Sequence, residues 1–321
     1  MNTLSQTSCL FEKKAGWVKQ STVYISGFGL LMLTVLVSFR PVPDEPNYKA
    51  QLEAWHQNRV TSLKSENGWL NLAGLFWLKE GKNSLGRGSD FDIAFPVANA
   101  PADLGLLYLQ NGDVRFAPKG GATVTIDGKP VSDPVVIFSA NSKPTVLSHG
   151  SLRWFVIKRG EKYGIRLRDL DSPFLKEFHG IERYPVNETW RVKAHLEKPT
   201  QPKTIPILDV LGQTSQQPLA GTLVFDLQGK TYRLDAVGEG SKLFILFGDA
   251  TNAHDTYGSG RFLYADKPAD SLDGSGTTVL DFNQAINPPC AFTPYATCPL
   301  PPKQNKLAVA ITAGEKRYGD H

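Results

Sequence analysis

Four short turn signals, each set between apolar runs, constrain this 321-residue chain more than any other feature. They are Asn111-Gly112, Asp127-Gly128, His149-Gly150 and Gln228-Gly229, and dipeptides of this kind join the strands of β-hairpins. The run "KYGIRLRD", residues 162–169, alternates apolar and polar residues and predicts a half-buried strand. Because such strands follow one another without helical spacers, the sequence predicts a mainly β protein with two antiparallel sandwich or barrel units.

The N-terminal part of the chain differs from this pattern. Residues 41–46, "PVPDEP", predict a stiff linker, and residues 47–65 predict a helix with Leu52, Trp55 and Leu63 on one face. Residues 172–188 interrupt the strand rhythm with two Pro and one Gly. These breaks predict four parts: 1–40, a cytoplasmic tip with a signal anchor or signal peptide; 41–84, the linker and helix; 85–175, a first β sandwich; and 176–321, a second β domain.

Residues 21–39 carry no charge and as a helix would span about 28 Å, close to the hydrocarbon thickness of a bilayer. Lys13, Lys14 and Lys19 precede this run, so we expect a membrane anchor with the bulk of the chain outside the cytoplasm. A cleaved signal peptide is the alternative, and it also exports the remainder. In both cases we expect an envelope location or secretion. The basic excess lies mainly in residues 1–40, so we expect no nucleic-acid partner.

Cys290 and Cys298 lie in a proline-rich segment of the part that we expect to be exported. An oxidising compartment favours a disulfide between them. The ring would be short, so its entropic stabilisation would be modest.

Part of the first half resembles the forkhead-associated β sandwich. Gly86, Arg87, Asp92 and Ile93 match the opening of that family, and "TIDGKPV", residues 125–131, matches a later turn. The resemblance covers residues 85–169 and implies a fold. The Ser-x-x-His that grips phosphothreonine in that family is missing near residues 99–105, so no phosphopeptide recognition is implied.

Three longer blocks are similar to a bacterial family known as domain of unknown function number 1684. They are "GWLNLAGLFWLKEG", "FGDATNAHDTYGSGRFL" and "LDFNQAINPPCAFTPYATCPLPP". The resemblance extends over nearly the whole of the chain after the apolar run and implies no particular reaction. Ala253 stands where a Gly is usual in the family, and His254 stands where a Lys or similar polar residue is expected.

The second of these blocks predicts a polar loop after a buried strand. "KLFILF" is continuously apolar, and Asp249 follows it directly. Arg261 begins the next strand within reach of Asp249 or Asp255, and a guanidinium held by carboxylates can clamp an anion. Thr251 and Tyr257 complete the candidate ligand-binding residues of this loop. The alternative is an Asp–Arg pair that braces a long loop.

The third block adds Asp281, Asn283 and Tyr295, and period-two alternation places the first two on one side of a strand. Asp249 and Asp281 would be the acid/base pair if they converged, as in glycoside hydrolysis. Two unrelated strand-end aspartates are the alternative. Cys290 with His254 could form a nucleophile and base, but a disulfide would block that chemistry.

Other chemistries find less support in the sequence. The six histidines are not at metal-ligand spacing, and no phosphate-binding glycine loop, dinucleotide fingerprint or nucleophile elbow is present, so we expect no metal and no cofactor. Trp69 and Trp77 could stack on a sugar, although core packing is the commoner role of such aromatics. The sequence therefore predicts an exported envelope protein with a site for a small polar, anionic or glycan molecule in its second half; the alternative is a non-catalytic scaffold.

Overall fold

The computed structural model describes residues 47–119, 121–140, 142–268 and 276–319, which belong to one compact unit. No helix in these ranges is both long and apolar enough to cross a membrane. The predicted span at residues 21–39, with the preceding lysines and Cys9, lies outside the described residues.

Helix α1 runs from Tyr48 to Lys64, within one residue of the predicted limits at each end. The side chain of Asn47 caps its start by accepting a hydrogen bond from the Ala50 N–H at 3.0 Å. Leu52 and Leu63 are buried as predicted, whereas Trp55 is only half-buried and His56 is buried instead.

The first half forms two sheets over a shared apolar core. One sheet has the order β1-β11-β10-β9-β6-β7 and the other β3-β2-β4-β5-β8. The strands are β1 Leu72–Trp77, β2 Gly81–Gly86, β3 Ile93–Ala94, β4 Asp103–Gln110, β5 Asp113–Pro118, β6 Thr125–Ile126, β7 Lys129–Pro130, β8 Val135–Phe138, β9 Leu147–His149, β10 Leu152–Arg159 and β11 Lys162–Asp169.

The predicted hairpin turns are present. Asn111 and Gly112 have φ of 53° and 85°, Asp127 and Gly128 have 49° and 76°, and Gln228 and Gly229 have 51° and 75°. Two consecutive positive φ values are the signature of the two-residue turn that matches strand twist. Turn chemistry therefore fixes these three hairpins locally.

The prediction of a half-buried strand at residues 162–169 is wrong. Arg166 and Arg168 on β11 are buried at 5% and 8% exposure. The Arg168 guanidinium donates to the carbonyl of Gly68 and to Asn71 Oδ1, and Arg166 lies over the Trp69 ring. Both faces of β11 are covered, because the segment around Trp69 packs over the side that the alternation assigned to water. Trp69 is thus a packing residue, as the commoner role of aromatics suggested.

A short helix α2, Pro173–Lys176, leads from the first half into the second. The second half is a seven-stranded antiparallel sheet of order β17-β16-β15-β14-β12-β18, with β13 paired to β14. Its strands are β12 Arg191–Glu197, β13 Thr204–Leu208, β14 Thr214–Leu227, β15 Lys230–Glu239, β16 Lys242–Phe247, β17 Arg261–Asp266 and β18 Gly276–Asp281.

The two outer strands of this sheet approach each other. The Thr278 hydroxyl on β18 donates to the Asp266 carbonyl on β17 at 2.7 Å, so the sheet curls toward a barrel. An apolar core that includes Leu223, Leu234 and Phe282 fills its interior. The two halves therefore have separate main cores, and the predicted boundary at residues 175/176 stays a prediction.

Candidate functional site

The polar loop of residues 248–260 connects β16 to β17 and is built around a buried ion pair. Arg261 Nη2 lies 2.8 Å from Asp249 Oδ2, and neither side chain has any exposed surface. The predicted Asp–Arg pairing is confirmed. Because a buried charge is costly without a partner, the two side chains stabilise each other only as a pair.

The remaining polar atoms of this pair are largely satisfied inside the protein. Asp249 Oδ1 accepts hydrogen bonds from the Thr251 N–H at 2.8 Å, the Thr251 hydroxyl at 2.6 Å and the Ile311 N–H at 3.2 Å. Arg261 donates to the carbonyls of Ala313 and, at 2.9 Å, Ile311. The pair thus ties the polar loop to the C-terminal segment. This geometry is a brace, the alternative that the sequence left open.

Backbone conformation explains two residues of the loop. Gly260 has a φ of 94°, and a Cβ there would lie 2.6 Å from the Phe247 carbonyl oxygen, so only glycine fits. Ala253 has a φ of 69°, in the left-handed region, which accounts for the Gly usual at this position in the resembling family. Gly258, by contrast, does not have a positive φ.

Thr256 and Asn252 close the loop from within. The Thr256 hydroxyl lies 2.8 Å from the Thr251 hydroxyl, and Asn252 Nδ2 donates to the Tyr257 carbonyl at 3.0 Å. The Tyr257 ring is half-buried against an apolar cluster that contains Phe292. Of the predicted loop residues, Thr251 and Arg261 are therefore joined to Asp249, while Tyr257 packs apart from it.

Asp281 belongs to a second, separate cluster at the end of β18. Both of its carboxylate oxygens lie 2.9 Å from the Tyr48 hydroxyl, which donates, and Asn283 Nδ2 donates to Asp281 Oδ1 at 3.0 Å. Burial, followed by the adjacent Asp281 carboxylate, raises the pKa of Tyr48, so its hydroxyl remains a donor. Arg191 lies over the Tyr48 ring at 5.1 Å. This cluster anchors α1 to the second half.

The structure does not bring Asp249 and Asp281 together through a hydrogen bond or a shared partner among the described residues. Each carboxylate is held by its own donors. An acid/base pair made from these two residues finds no geometric support, and the reading of two unrelated strand-end aspartates fits the contacts.

A third buried ionic group was not predicted from the sequence. Glu315, 1% exposed, accepts from Arg59 Nε at 3.2 Å and from the Asn287 N–H at 2.6 Å. Arg59 Nη2 also donates to the Asn287 carbonyl at 3.0 Å. Burial raises the pKa of Glu315, while the positive charge of Arg59 acts in the opposite direction. Arg59 and Glu315 lie 256 positions apart, so no local pattern marks them as partners.

The predicted disulfide is not formed in the structure. Cys290 and Cys298 are free thiols, although the Cys290 N–H donates to Cys298 Sγ at 3.0 Å. His254 is exposed, and its contact is a backbone hydrogen bond to Thr251, so a Cys290–His254 pair finds no support. Tyr295 is half-buried, with its N–H donating to Thr293 Oγ1 at 3.3 Å.

An open cleft of about 780 Å³ lies beside the polar loop. Its walls are the backbone of the loop, the strand end at Leu208 and the proline-rich segment that follows Cys298. Exposed Lys303 and Lys306 lie along it, and neither makes an ion pair with another described residue. The cleft residues are Pro206, Leu208, Thr214, Gly248, Asp249, Ala250, Asn252, Gly258, Ser259, Gly260, Leu300, Pro301, Pro302, Lys303, Gln304, Lys306 and Leu307.

The brace and the cleft meet at Asp249. Its backbone lines the cleft, whereas its side chain turns into the protein toward Arg261. Among the described residues, Tyr295, Asp281 and Asn283 do not line the cleft. The sequence therefore predicted the loop that forms one wall, but the side chains of Asp249 and Arg261 are buried behind this loop, and Asp281 and Asn283 belong to the separate cluster with Tyr48.

Comparison with known proteins assigns the second half of the chain to a family. A family model described as "Protein of unknown function (DUF1684)" matches residues 176–316, a range that leaves out the block at residues 68–81. The forkhead-associated resemblance of the first half is not confirmed. An uncharacterized protein of Haloarcula marismortui, solved by solution NMR, is 32% identical over 46% of this chain and 80% of its own, with a TM-score of 0.38. No curated protein matches the chain. The chain belongs to the DUF1684 family.

Proposed function

We propose that this chain is an exported envelope protein whose second half binds a small amphipathic anion in the cleft beside the polar loop. The proposal for export rests on the uncharged residues 21–39 and the lysines before them. The proposal for binding rests on one observation. The Asp249 carboxylate of the loop is paired with Arg261 inside the protein and is not open to a ligand. The cleft beside this loop carries two lysines, Lys303 and Lys306, that make no ion pair with another described residue.

The composition of the cleft selects the ligand class. Leu208, Leu300 and Leu307, together with three prolines, supply an apolar wall. Lys303 and Lys306 supply positive charge, and the one acidic residue among the lining residues, Asp249, has no exposed side-chain surface. Ligand sites commonly combine apolar walls with a few placed polar groups. A carboxylate or phosphate on an apolar body fits this combination.

A glycan fits less well. None of the described residues that line the cleft is aromatic, so the cleft lacks a face on which a sugar ring can stack. Trp69, one of the two tryptophans considered for this role, is engaged by Arg166 at 5.8 Å. The anionic option that the sequence left open therefore takes precedence over the glycan option.

Calorimetric titration of the full-length chain with decanoate tests this function. Decanoate carries one carboxylate on an apolar chain, decanol removes the charge, and acetate removes the apolar body. We expect decanoate to bind and the other two to bind at least about tenfold more weakly, since each removes one of the two recognised features. Equal binding of decanoate and decanol would contradict a role for the lysines.

Variants separate the cleft from the rest of the surface. Lys303→Glu/Lys306→Glu reverses the charge, and Ala250→Trp fills space beside the loop; both are expected to abolish decanoate binding. Lys230→Glu, an equally exposed lysine that does not line the cleft, is the matched control and is expected to bind as wild type. Failure of decanoate, decyl phosphate and decyl sulfate to bind wild type would overturn the proposal.

A non-catalytic scaffold is the second candidate. It is favoured by the internal hydrogen bonding of Asp249, Arg261, Asp281 and Asn283, which makes the signature residues structural. In that case no amphipathic anion stabilises the protein. A bound ligand at a hundredfold excess over its Kd would add about 2.7 kcal/mol to the free energy of unfolding, so thermal unfolding with and without ligand separates the two candidates.

A further inference from the structure

Arg166 on β11 is a buried cation without a carboxylate partner. It is 5% exposed, its Nε and Nη2 atoms have no hydrogen-bond partner, and it makes no ion pair with another described residue. Burial lowers the pKa of Arg166 to about 10, which leaves the guanidinium charged near neutral pH. An isolated buried charge is strongly unfavourable, so a counter-charge is expected close by.

The two thiols of the second half lie in this environment. Trp69 joins the groups, because its ring lies 5.8 Å from the Arg166 guanidinium and packs against the cluster that contains Cys290 and Cys298. The charge of Arg166 interacts with both sulfur atoms. Cys298 Sγ accepts the Cys290 N–H at 3.0 Å, and Cys290 Sγ donates to the Ala296 carbonyl at 3.5 Å. The two cysteines therefore lie side by side, next to the Trp69 ring that contacts Arg166.

Accessibility separates the roles of the two sulfurs. Cys290 is half-buried, whereas Cys298 is buried at 4% exposure. A reagent from solvent reaches Cys290 first, and Cys298 lies beside it to react second. The two residues are eight positions apart in a folded-back loop, so Cys298 lies close enough to react with Cys290.

Neighbouring ionisable groups do not replace the missing counter-charge. Arg159 and Arg168 add further positive charge near Arg166, and Asp209 is the acidic group that acts on Cys290. The hydrogen bond from Cys298 lowers the pKa of Cys290, and Arg166 acts in the same direction against the effect of burial. The pKa of Cys298 is raised by its hydrogen bond to Cys290 and by burial. Burial raises the pKa of Tyr257, and negative charge on Cys290 or Cys298 acts in the same direction.

We infer that Cys290 and Cys298 form a thiol–disulfide exchange site in which Cys290 Sγ, as a thiolate opposite Arg166, attacks a disulfide from solvent. The attack breaks the external S–S bond, joins Cys290 to one half of it and releases the other half as a thiolate. Cys298 then loses its proton to solvent and attacks the Cys290 sulfur. The products are the Cys290–Cys298 disulfide and a second released thiolate, so the two cysteines are oxidised and the external disulfide is reduced.

The site is biased toward its reduced form. Oxidation removes the thiolate and leaves Arg166 without a counter-charge, so the disulfide form is disfavoured relative to an ordinary structural disulfide. Stabilisation of the thiolate form makes a disulfide an easily reduced oxidant. The same argument is consistent with free thiols at a position where the sequence alone favours a disulfide of modest stability.

The experiment follows alkylation of Cys290 by iodoacetamide as a function of pH, by mass spectrometry, in the full-length Cys9→Ser chain. Wild-type Cys290 is expected to stay reactive below the pH at which free cysteine loses reactivity. Arg166→Gln is expected to shift the midpoint upward and to slow alkylation near neutral pH by roughly tenfold, whereas Arg166→Lys keeps the charge and the profile. Arg153→Gln, on the neighbouring strand, is the control.

A second measurement uses oxidised glutathione as the disulfide. The two-cysteine protein should lose two hydrogen atoms and form the internal disulfide, while Cys298→Ser should stop at the glutathione adduct of Cys290. In glutathione redox buffers, Arg166→Gln should make the internal disulfide harder to reduce. An alkylation profile like that of free cysteine in wild type, an unchanged profile in folded Arg166→Gln, or no adduct in Cys298→Ser would overturn the inference. The wild-type profile decides the question even if Arg166→Gln does not fold.

Discussion

Arg261 begins β17 and Arg166 lies within β11. Both arginines are buried, yet their surroundings differ. Arg261 has no exposed surface and faces the Asp249 carboxylate at 2.8 Å together with carbonyls of the C-terminal segment. Arg166 is 5% exposed and lies over the Trp69 ring, which packs in the cluster that contains Cys290 and Cys298, and it makes no ion pair with a carboxylate of the described residues. The Arg261 guanidinium holds two segments of the structure together. The Arg166 guanidinium has no such carboxylate, and its proposed counter-charge is Cys290, which can gain or lose a proton.

The contrast shows that polar composition alone does not mark the reactive part of this molecule. The loop with the most polar residues uses them to hold itself together, and its outer surface becomes the wall of a cleft. The less conspicuous strand at residues 162–169 carries Arg166, a buried charge that makes no ion pair with another described residue.

Substitution of each arginine should give the largest difference in stability between the two sites. Arg261→Met leaves Asp249 buried without its partner and is expected to lower the free energy of unfolding by about 3–5 kcal/mol. Arg166→Met removes a charge that no carboxylate balances, and the Cys290 thiolate proposed opposite it can take up a proton, so the loss is expected to be smaller than for Arg261→Met. Urea unfolding measures both. Equal losses for the two variants would mean that Arg166, like Arg261, has a partner that cannot change its charge.

The Tyr48 hydroxyl provides the next test, because it satisfies a carboxylate that has no arginine in an ion pair. Tyr48→Phe removes the donor to both oxygens of Asp281 and is expected to lower the free energy of unfolding by about 1–3 kcal/mol. Tyr108→Phe, at an exposed position, is the control and should change little. An unchanged stability for Tyr48→Phe would show that α1 is not anchored through this contact.

Glu315, a buried carboxyl group paired with Arg59, should make the free energy of unfolding depend on pH. Burial raises its pKa in the folded state above the ordinary value of 4.5, so the folded protein binds its proton more tightly than the unfolded chain. Its contribution is therefore fully present below pH 4.5 and decreases as pH rises through the raised pKa, by about 1.4 kcal/mol for each unit of difference. Glu315→Gln should flatten this part of the stability profile. A contribution that grows with pH would show that the Arg59 pairing outweighs burial.

The smallest effect on stability is expected at the cleft. Lys303→Glu/Lys306→Glu alters two exposed side chains without ion pairs, so the free energy of unfolding should change by no more than about 0.5 kcal/mol. Chemical unfolding checks this value, and Lys230→Glu serves as the control. A large loss would assign these lysines to the structure and remove them from the binding proposal.

Local patterns predicted much of the fold. The turn dipeptides and the limits of α1 depend on neighbouring residues, and the sequence predicts them well. The burial of β11 could not be predicted in this way, because segments distant in the chain cover its second face.

The site was predictable to the level of the loop, and less so to the level of the atoms. The pairing of Asp249 with Arg261 followed from a strand end beside a strand start. Tyr48, Arg59 and Glu315 could not be found, since their partners are more than two hundred positions away. The orientation of Asp249, away from the cleft, depends on Arg261 and on the Ile311 N–H of the C-terminal segment, a distant donor that no local pattern reveals.

Asp249 supports the loop from behind, and the proposed ligand contacts are the cleft lysines Lys303 and Lys306. Calorimetric titration with decanoate of wild type, Asp249→Asn and Lys303→Glu/Lys306→Glu, each shown by circular dichroism to be folded, tests this assignment most directly. We expect Asp249→Asn to bind decanoate with wild-type affinity and the lysine variant not to bind. Loss of binding in folded Asp249→Asn, with binding retained in the lysine variant, would contradict it and make Asp249 a ligand contact.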